Sequence, residues 1–359
     1  MMKIDLLIVG AGLTGCVIAE RAAAKGLTSL IVDKRNHIGG NCYDEYHPSG
    51  VLIHKYGPHF FRTNDKNIVD YLSNFTDWIE GEYRVEAYVE GQHFPMPINR
   101  TTLEMFFGKN LSRKDASNFL DTLRDKTITG PKNSEEFVLS RVGRELYEAF
   151  YLGYTLKQWE RHPSELAPDV CGRIPVRVTK DWRYVNHKYQ LMPKDGYTRM
   201  FTKMLDHANI HVLLNTDYSV IRNVIQPQIA TFYTGAIDEY FNYSLGKLPW
   251  RSLRFECKQY NQEFKQHCTS INYPNDYSYT RSVEIKHCTK QQHPSTVVVY
   301  EYPSGEGDPY YPVPTEESRL QYSQYQKLAE NEPKVLFAGR LATYAYMDMD
   351  VVIEKALSF

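Results

Sequence analysis

Three glycines near the start of the chain have the spacing that holds a pyrophosphate. Gly10, Gly12 and Gly15 follow a short apolar run and precede a helical stretch. Gly10 permits a tight turn, Gly12 lets backbone N–H groups approach an anion, and Gly15 allows a helix to pack closely on a strand. The N-terminus of that helix then faces the phosphates. In this context a glycine-rich turn without a ligand is the weaker interpretation.

An acidic residue completes the dinucleotide motif. Asp33 ends a second apolar run, where its carboxylate can accept hydrogen bonds from the ribose hydroxyls of an adenosine. NAD and FAD share this motif, so the motif leaves the cofactor open. The paired Gly39 and Gly40 allow a loop to pass close to a ligand, and Lys34 and Asn41 offer polar contacts there. An ordinary turn also explains these residues.

The apolar runs predict the elements that position this motif. Residues 4–9 and 29–32 are typical of buried parallel strands, and residues 16–25 between them have helical spacing. A further apolar run at 335–338 fits a Rossmann-type sheet whose last strand and helix return after a long insertion. The first and last parts of the chain therefore belong to one predicted domain.

The inserted part of the chain has two different patterns. Residues 100–170 alternate polar and apolar positions at helical spacing, which predicts a helical lobe. Residues 253–282 and 296–302 are rich in aromatic and β-branched residues, which predicts strands.

The composition argues against several classes of protein. The 359 residues are 42% hydrophobic, which is enough for a large core. Lysine plus arginine (42) balances aspartate plus glutamate (43), which disfavours nucleic acid and anionic membranes as partners. No segment reaches transmembrane length, so we expect no membrane insertion. The six cysteines lack metal-site spacing, which indicates reduced thiols, no metal and a cytoplasmic location.

Longer motifs resemble the bacterial UDP-galactopyranose mutase family of flavoenzymes. The segments Asp33-Lys-Arg-Asn-His-Ile-Gly-Gly-Asn41 and His54-Lys-Tyr-Gly-Pro-His59 carry the first part of the resemblance. Further matching segments lie at 153–159, 173–177, 233–241, 250–255, 279–281, 309–312 and 339–350. The resemblance therefore covers nearly the whole chain.

The resemblance implies an α/β fold with three parts. These are a discontinuous Rossmann-like FAD-binding domain, an inserted helical lobe with a mobile loop, and a twisted antiparallel sheet. The expected ranges are 1–78, 192–247 and 331–359 for the FAD-binding domain, 100–191 for the helical substrate lobe, and 79–99 and 248–330 for the sheet.

The resemblance also implies a reaction. Members of the family interconvert the pyranose and furanose forms of UDP-galactose. The N5 atom of reduced FAD attacks the anomeric carbon, UDP leaves, and a covalent sugar–flavin adduct forms without net oxidation or reduction. The implied partners are a UDP-sugar, with NAD(P)H or a flavin reductase as the external reductant, and a second copy of the chain in a homodimer.

The family pattern assigns roles to individual residues of this sequence. Arg173, on a loop for which Gly172 is a plausible hinge, and Arg281 are implied to bind the departing diphosphate, and His59 to lie close to the flavin. The other implied substrate-binding residues are Arg62, Tyr154, Thr155, Trp159, Tyr184, Asn272, Tyr311 and Tyr346. The implied cofactor-binding residues are Gly10, Gly12, Thr14, Gly15, Asp33, Lys34, Gly40, Asn41, His59, Phe60, Arg340, Met347, Asp348, Met349 and Val352. We also expect Asp348 to cap the last helix.

The sequence departs from the pattern of galactose-specific members at two places, Arg62 and the pair Tyr83 and Arg84. Arg62 stands where such members usually have a second histidine, and members that accept N-acetylated sugar nucleotides show such a replacement. UDP-N-acetylgalactosamine is therefore a candidate substrate beside UDP-galactose. Tyr83 and Arg84 replace an asparagine-containing segment, so a dTDP-deoxysugar such as a dTDP-fucose is an alternative.

Two other classes of function fit part of the sequence. An FAD-dependent oxidoreductase of the amine-oxidase-like fold would share the dinucleotide motif. The arginine and tyrosine set favours a diphosphate ligand instead. A nucleotide-binding protein without catalytic activity would bind flavin or nucleotide and convert no sugar.

Overall fold

The computed structural model describes residues 3–81, 83–172 and 174–359. Its strands, in chain order, are Leu6–Val9 (β1), Ser29–Val32 (β2), Asp44–Tyr46 (β3), Leu52–His54 (β4), Phe61–Thr63 (β5), Trp78–Glu80 (β6), Val85–Val89 (β7), Gln92–Met96 (β8), Tyr189–Pro193 (β9), Ile210–Leu213 (β10), Ala230–Tyr233 (β11), Trp250–Tyr260 (β12), Ser270–Asn272 (β13), Arg281–Val283 (β14), Thr296–Ser304 (β15), Tyr311–Pro312 (β16) and Val335–Phe337 (β17).

The helices lie between these strands and at the end of the chain. They are Leu13–Ala24 (α1), Lys66–Leu72 (α2), Arg100–Phe106 (α3), Arg113–Leu123 (α4), Ser134–Val142 (α5), Arg144–Tyr147 (α6), Gly153–Trp159 (α7), Asp169–Gly172 (α8), Tyr197–Leu205 (α9), Tyr218–Ile221 (α10), Ile237–Tyr240 (α11), Lys286–Thr289 (α12), Glu316–Ala329 (α13), Gly339–Ala342 (α14) and Met349–Leu357 (α15).

A five-stranded parallel sheet forms the first layer. Its order is β10-β2-β1-β11-β17, and all four pairs of neighbouring strands run parallel. The central strands β1 and β2 are apolar and buried because helices cover the sheet. Helix α1 packs against the final helix α15. The prediction that the end of the chain returns to the first domain is therefore confirmed.

A seven-stranded sheet forms the second layer. Its order is β16-β12-β15-β14-β13-β7-β8. The long strands β12 and β15 pair antiparallel from Ser252 opposite Ser304 to Tyr260 opposite Thr296. The expectation of an antiparallel sheet needs one correction, because β13 runs parallel to β7. This pairing joins segments that are far apart in the chain, so no tight hairpin connects them.

The predicted helical region contains helices α3 to α8. Polar side chains begin several of these helices. The Asn99 side chain accepts hydrogen bonds from the N–H groups of Thr101 and Thr102 at the start of α3. The Ser112 hydroxyl accepts one from the N–H group of Asp115 at the start of α4. These caps satisfy N–H groups that the helix itself leaves unpaired. Among the described residues, no helix has both the length and the apolar character that a bilayer crossing requires.

A small sheet links the parts of the molecule. Strands β5 and β6 both pair antiparallel with β9. The domain limits expected at 78/79 and 191/192 fall within β6 and β9. The hydrogen bonds of this sheet therefore connect all three expected regions.

Candidate functional site

A cavity of about 670 Å³ opens at the carboxyl ends of the parallel strands. This is the place where open α/β sheets bind their ligands. Most of the residues implied for the cofactor line it: Gly10, Gly12, Thr14, Asp33, Lys34, Gly40, Asn41, His59, Arg340, Met347, Met349 and Val352. Gly15, Phe60 and Asp348 do not line this cavity, and each has a different environment.

The glycines of the first loop are required by close contacts. Gly10 has a φ of +106°, and a Cβ there would lie 2.1 Å from Thr234 Oγ1. A Cβ on Gly15 would lie 2.0 Å from the carbonyl oxygen of Gly10. Gly40 approaches Gly12 so closely that its Cβ would lie 2.9 Å from the Gly12 Cα. Gly15 therefore acts through the packing of α1 on β1, while the other glycines keep the floor of the cavity open.

The Asp33 carboxylate holds the glycine loop in place. One of its oxygens accepts the N–H of Ala11 at 2.7 Å, and the other accepts the N–H of Arg35 at 2.9 Å. Each oxygen has a second lone pair that remains available to a ribose hydroxyl. Asp33 therefore combines the predicted position at the end of β2 with a structural role in the loop.

Another wall of this cavity consists of residues that the sequence analysis did not assign to the cofactor site. It contains Tyr218, Arg222, Tyr233, Glu239 and Tyr240. The Arg222 guanidinium lies 4.3 Å from the centre of the Tyr240 ring, and the Tyr218 and Tyr240 rings stack at 6.1 Å. The matching segment 233–241 was the sequence signal that could have identified this wall.

A second cavity of about 300 Å³ lies against the first. It is lined by the described residues that the family pattern implies for the substrate: Arg62, Tyr154, Thr155, Trp159, Tyr184, Asn272, Arg281, Tyr311 and Tyr346. Phe60 and Asp348 also line it. Arg173 lies outside the described residues, and its neighbour Ile174 lines the cavity.

The two cavities share part of their walls. Six of the described residues line both of them: Asn41, His59, Tyr310, Arg340, Met347 and Met349. The Arg340 guanidinium donates to the carbonyl oxygen of Tyr310 at 2.8 Å and lies 4.9 Å from the centre of the Tyr346 ring. A ligand in one cavity can therefore meet a ligand in the other at this shared wall.

Arg281 is a fixed cation in the second cavity. Its Nη2 donates to the Tyr154 hydroxyl at 2.9 Å, and its Nε lies 3.7 Å from a carboxylate oxygen of the buried Glu301. Burial opposes the charge of Arg281, but the carboxylate of Glu301 raises its pKa well above the ordinary value. A preorganised guanidinium of this kind suits an anionic diphosphate.

Phenol groups surround Arg281. Burial raises the pKa of Tyr184 and of Tyr311, so both hydroxyls stay protonated and can donate hydrogen bonds. The Tyr311 and Tyr346 rings stack with centroids 6.0 Å apart, and Trp159 lies 6.1 Å from Tyr311. These aromatic walls can bind a flat pyrimidine while the hydroxyls bind phosphate.

Arg62 and Asp348 form an ion pair in the same cavity. Nη2 of Arg62 lies 2.9 Å from both carboxylate oxygens of Asp348. The expectation that the Asp348 side chain caps the last helix is wrong. Asp348 occupies the position before α15, but its carboxylate makes no hydrogen bond to that helix, because it pairs with Arg62 instead.

His59 is a neutral imidazole at the shared wall. Its Nδ1 lies 3.0 Å from the carbonyl oxygen of Gly57, which can only accept, so Nδ1 donates and Nε2 is an acceptor. Its backbone N–H donates to Nδ1 of the buried His54 at 3.0 Å. Burial, followed by the proximity of His54, lowers the pKa of His59 to about 3.

A network of hydrogen bonds fastens helix α7, which carries Tyr154, Thr155 and Trp159, to the second sheet. The Lys157 ammonium donates to the carbonyl oxygen of Tyr277 at 2.7 Å, and to those of Tyr273 and Tyr279. The Asn275 amide donates to the carbonyl oxygen of Ala149, just before α7, at 3.1 Å. The position of the aromatic wall therefore depends on the loop between β13 and β14.

Tyr83 and Arg84, which replace the asparagine-containing segment of the family pattern, have separate environments. Tyr83 is buried, lines the second cavity and stacks on Phe60 with centroids 5.5 Å apart. The Arg84 guanidinium instead lies 5.3 Å from the centre of the Trp182 ring. Of these two side chains, Tyr83 lines the cavity and can contact a ligand, whereas Arg84 does not line it.

Comparisons with known proteins agree with this architecture. A sequence model of the family described as UDP-galactopyranose mutase matches residues 149–346, and a model described as an NAD(P)-binding Rossmann-like domain matches residues 8–75. The chain belongs to the UDP-galactopyranose mutase family. The family, the α/β fold with a Rossmann-like domain, and the enzyme class of an isomerase are thus confirmed.

Several relatives match over almost the full chain. A Klebsiella pneumoniae protein named probable UDP-galactopyranose mutase is 41% identical over 98% of this chain and 93% of its own length. The UDP-galactopyranose mutase of Mycoplasma pneumoniae is 31% identical over 99% of this chain and 95% of its own. The dTDP-fucopyranose mutase of Escherichia coli is 35% identical over 98% and 96%.

Solved structures show the same fold. A reduced UDP-galactopyranose mutase is similar with a TM-score of 0.75 at 14% identity, covering 99% of this chain and 93% of that one. Cyclohexylamine oxidase from Brevibacterium oxydans has a TM-score of 0.61 at 13% identity, covering 99% and 98%. This chain therefore shares its fold with a mutase and with an amine oxidase, and the fold alone does not select the reaction.

Proposed function

We propose that the chain is an FAD-dependent mutase that interconverts the pyranose and furanose forms of a UDP-galactose-type sugar nucleotide. The observation that carries this proposal is the shared wall between the two cavities. A dinucleotide in the first cavity would present its reactive end to an anionic sugar nucleotide in the second. Membership of the mutase family supports the same reaction.

The residues of the first cavity fit FAD. Gly10, Gly12 and Gly40 keep the floor of the cradle free of side chains, and a Cβ at Gly10 or Gly40 would be too close to its neighbours. Asp33 stands at the end of β2, where an adenosine ribose would lie. Arg340 and the N-terminus of α15 would face the far end of the cofactor. A helix N-terminus there would favour negative charge on a reduced flavin.

Reduced flavin, when bound, supplies the nucleophile for the anomeric carbon of the sugar. The side chains of the protein position the substrate and stabilise the leaving diphosphate. Arg281 and the phenols of Tyr184 and Tyr311 would bind the diphosphate oxygens. Stabilisation there lowers the barrier, because negative charge develops on the leaving group.

His59 would not act as a cation near the cofactor. Since its pKa is lowered to about 3 by burial, the imidazole is neutral at physiological pH. Its Nε2 is then a hydrogen-bond acceptor at the shared wall. We assign it the task of orienting a hydroxyl or N–H donor of the cofactor or sugar.

Arg62 makes UDP-N-acetylgalactosamine a substrate in this proposal. A guanidinium reaches further than the imidazole that galactose-specific members carry, and it offers several N–H donors to an acyl oxygen. A dTDP-deoxysugar is the second candidate, supported by the 35% identity to the dTDP-fucopyranose mutase. The external reductant would be NAD(P)H or a flavin reductase, and the chain would function in the cytoplasm, where it would form a homodimer.

Product analysis tests the proposal. The purified, flavin-loaded protein is reduced chemically without oxygen and incubated with UDP-galactose, UDP-N-acetylgalactosamine or dTDP-fucose, and the furanose products are separated by chromatography. We expect furanose from both UDP-sugars without stoichiometric use of reductant. Product from dTDP-fucose alone would select the second candidate. In a parallel incubation of the oxidised protein in air, oxidised substrate with stoichiometric consumption of oxygen would instead indicate an amine-oxidase-like oxidoreductase.

A variant tests the role of Arg62. Arg62→His restores the residue of the galactose-specific pattern, so it should lower turnover of UDP-N-acetylgalactosamine more than that of UDP-galactose. If neither the parent nor the variant converts any N-acetylated sugar, the proposed substrate is wrong.

A further inference from the structure

We propose that Asp348 is a positioning residue for Arg62, and that the two side chains together select the substituent at C2 of the sugar. The inference rests on the proposed function, because it concerns the same sugar pocket. It adds a second residue, distant in sequence, to the specificity that Arg62 alone would provide.

The strand fixes only the start of the Arg62 side chain. Phe61 and Thr63 on either side of it are buried, with exposed fractions of 0% and 2%, so Arg62 projects from the opposite face of β5. That face lines the second cavity. An arginine has several rotatable bonds, so the strand alone cannot place its guanidinium. A partner beyond the strand has to hold the charged end.

Asp348 provides that partner through a single nitrogen. Both of its oxygens lie 2.9 Å from Nη2 of Arg62, and the exposed fractions of the two side chains are only 23% and 29%. The end-on contact leaves Nε outside the pair. Nε of Arg62 is buried and has no hydrogen-bond partner among the described residues.

Nε is enclosed by protein atoms, so a ligand reaches the guanidinium through its N–H groups that face the cavity, and the Asp348 contact sets their direction. The acetamido carbonyl of an N-acetylated sugar extends further from the ring than a hydroxyl and is a strong acceptor. With the guanidinium held by Asp348, the acetamido oxygen, which extends further from the ring, would bind better than the shorter C2 hydroxyl of galactose. The orientation of Arg62, and not its charge alone, would therefore set the preference.

The Asp348 side chain is committed to this contact. It stands at the residue before α15, where an aspartate ordinarily accepts a hydrogen bond from the first helical turn, yet it makes no such bond. Asparagine caps helices about as well as aspartate does. The substitution Asp348→Asn therefore removes the negative charge that holds Arg62 while leaving a residue that the helix start tolerates.

The test compares the affinities of two ligands. Flavin-loaded parent, Asp348→Asn, Arg62→His and the double variant are titrated with UDP-N-acetylgalactosamine and with UDP-galactose in a calorimeter. We expect Asp348→Asn to lower the ratio of the two affinities, in favour of UDP-galactose, by about tenfold. In the Arg62→His background the same change should leave the ratio unaltered, because the partner is gone.

Asp350→Asn is the matched control. Asp350 lies in the first turn of the same helix, and its carboxylate accepts a hydrogen bond from the N–H group of Val351. An equal loss of affinity for both ligands in Asp348→Asn, or the same change of ratio with and without Arg62, would overturn the inference. Failure of the proposed function has a different result: no furanose product from either UDP-sugar, whatever the affinity ratio does.

Discussion

Arg281 and Glu301 face each other across neighbouring strands, with Nε of the guanidinium 3.7 Å from a carboxylate oxygen. Glu301 is only 2% exposed, so its charge supports a guanidinium that burial would otherwise disfavour. The Arg281 guanidinium is therefore already charged and held in place in the second cavity before any diphosphate enters. The activity predicted for this site depends on that charge.

Arg281→Lys tests whether the fork of the guanidinium matters. A lysine keeps the positive charge but cannot donate to the Tyr154 hydroxyl and a diphosphate oxygen from one rigid plane. We expect kcat/KM for the sugar nucleotide to fall by at least about a hundredfold. Steady-state kinetics measure this, and an unchanged flavin absorption spectrum shows that the cofactor site is intact. A variant with the activity of the parent would contradict the assigned role.

Lys157→Met tests the fastening of helix α7. Loss of three hydrogen bonds to carbonyl oxygens should detach this helix from the 273–279 loop, so that Trp159 is held less rigidly. We expect KM to rise about fivefold to tenfold with little change in kcat, because the bound nucleotide has to order the helix again. Lys114→Met, an exposed lysine of helix α4 at the outside of the helical lobe, is the control. An equal rise of KM in the two variants would show that the hydrogen bonds of Lys157 do not specifically hold helix α7 in place.

Gly15→Ala tests the packing of α1 on β1. The added Cβ would lie 2.0 Å from the carbonyl oxygen of Gly10, and backbone at that position cannot move without deforming the loop. We expect unfolding free energy to fall by about 3 kcal/mol or more, together with loss of bound flavin. Gly130→Ala is the control, because a Cβ there would have no atom of the described residues within 4 Å. Denaturant unfolding and flavin content per chain give the two readouts.

Asp33→Ala removes the acceptor of two backbone N–H groups at the glycine loop. Each N–H left without a partner costs about 1–3 kcal/mol where it is buried. We expect FAD affinity to fall by about tenfold or more, since the loop loses its fixed conformation and the ribose loses its acceptor. The measurement is the release of flavin on dilution, followed by fluorescence. Asp206→Asn, an exposed change at the end of α9, should retain the affinity of the parent.

His54 makes the folded state sensitive to acid. Burial lowers its pKa from 6.5 to about 3, so the folded state disfavours the proton that the unfolded chain binds readily. Stability is therefore complete above the unfolded pKa and is lost as the pH falls from about 6.5 towards 3. At pH 5.5 the loss from this residue is about 1 kcal/mol.

His54→Gln removes this titration while it keeps an oxygen that can accept the His59 N–H. We expect the variant to lose less unfolding free energy than the parent between pH 7.5 and pH 5.5. Urea denaturation at both pH values measures the difference. His207→Gln removes an exposed histidine and is the matched control. A variant whose pH dependence equals that of the parent would show that His54 is not the sensitive group.

The glycine loop was predictable from the sequence because its function requires residues that are adjacent in the chain. A turn, a close approach and a helix N-terminus all occur within residues 10–15. The Arg62–Asp348 pair was not predictable, since its partners are 286 residues apart and their contact depends on the placement of β5 beside α15. Capping propensity favoured a local bond for Asp348, and the tertiary ion pair replaced it.

The parallel pairing of β7 with β13 was hidden for a related reason. Alternation within a strand predicts which side faces the core but contains no information about the direction of a distant neighbour. The pairing places β13, and with it Asn272, beside the β7 segment that follows Tyr83. Tyr83 precedes β7 and lines the second cavity, a position that its local sequence pattern does not predict.

The wall shared by the two cavities has a consequence for the order of assembly. Since Asn41, His59 and Arg340 line both cavities, a cofactor bound in the first would lie next to a sugar nucleotide bound in the second. The cofactor would then form part of the surface that the sugar contacts. We therefore expect loading to be sequential, with flavin first and sugar nucleotide second, and tight sugar binding only in the holoprotein.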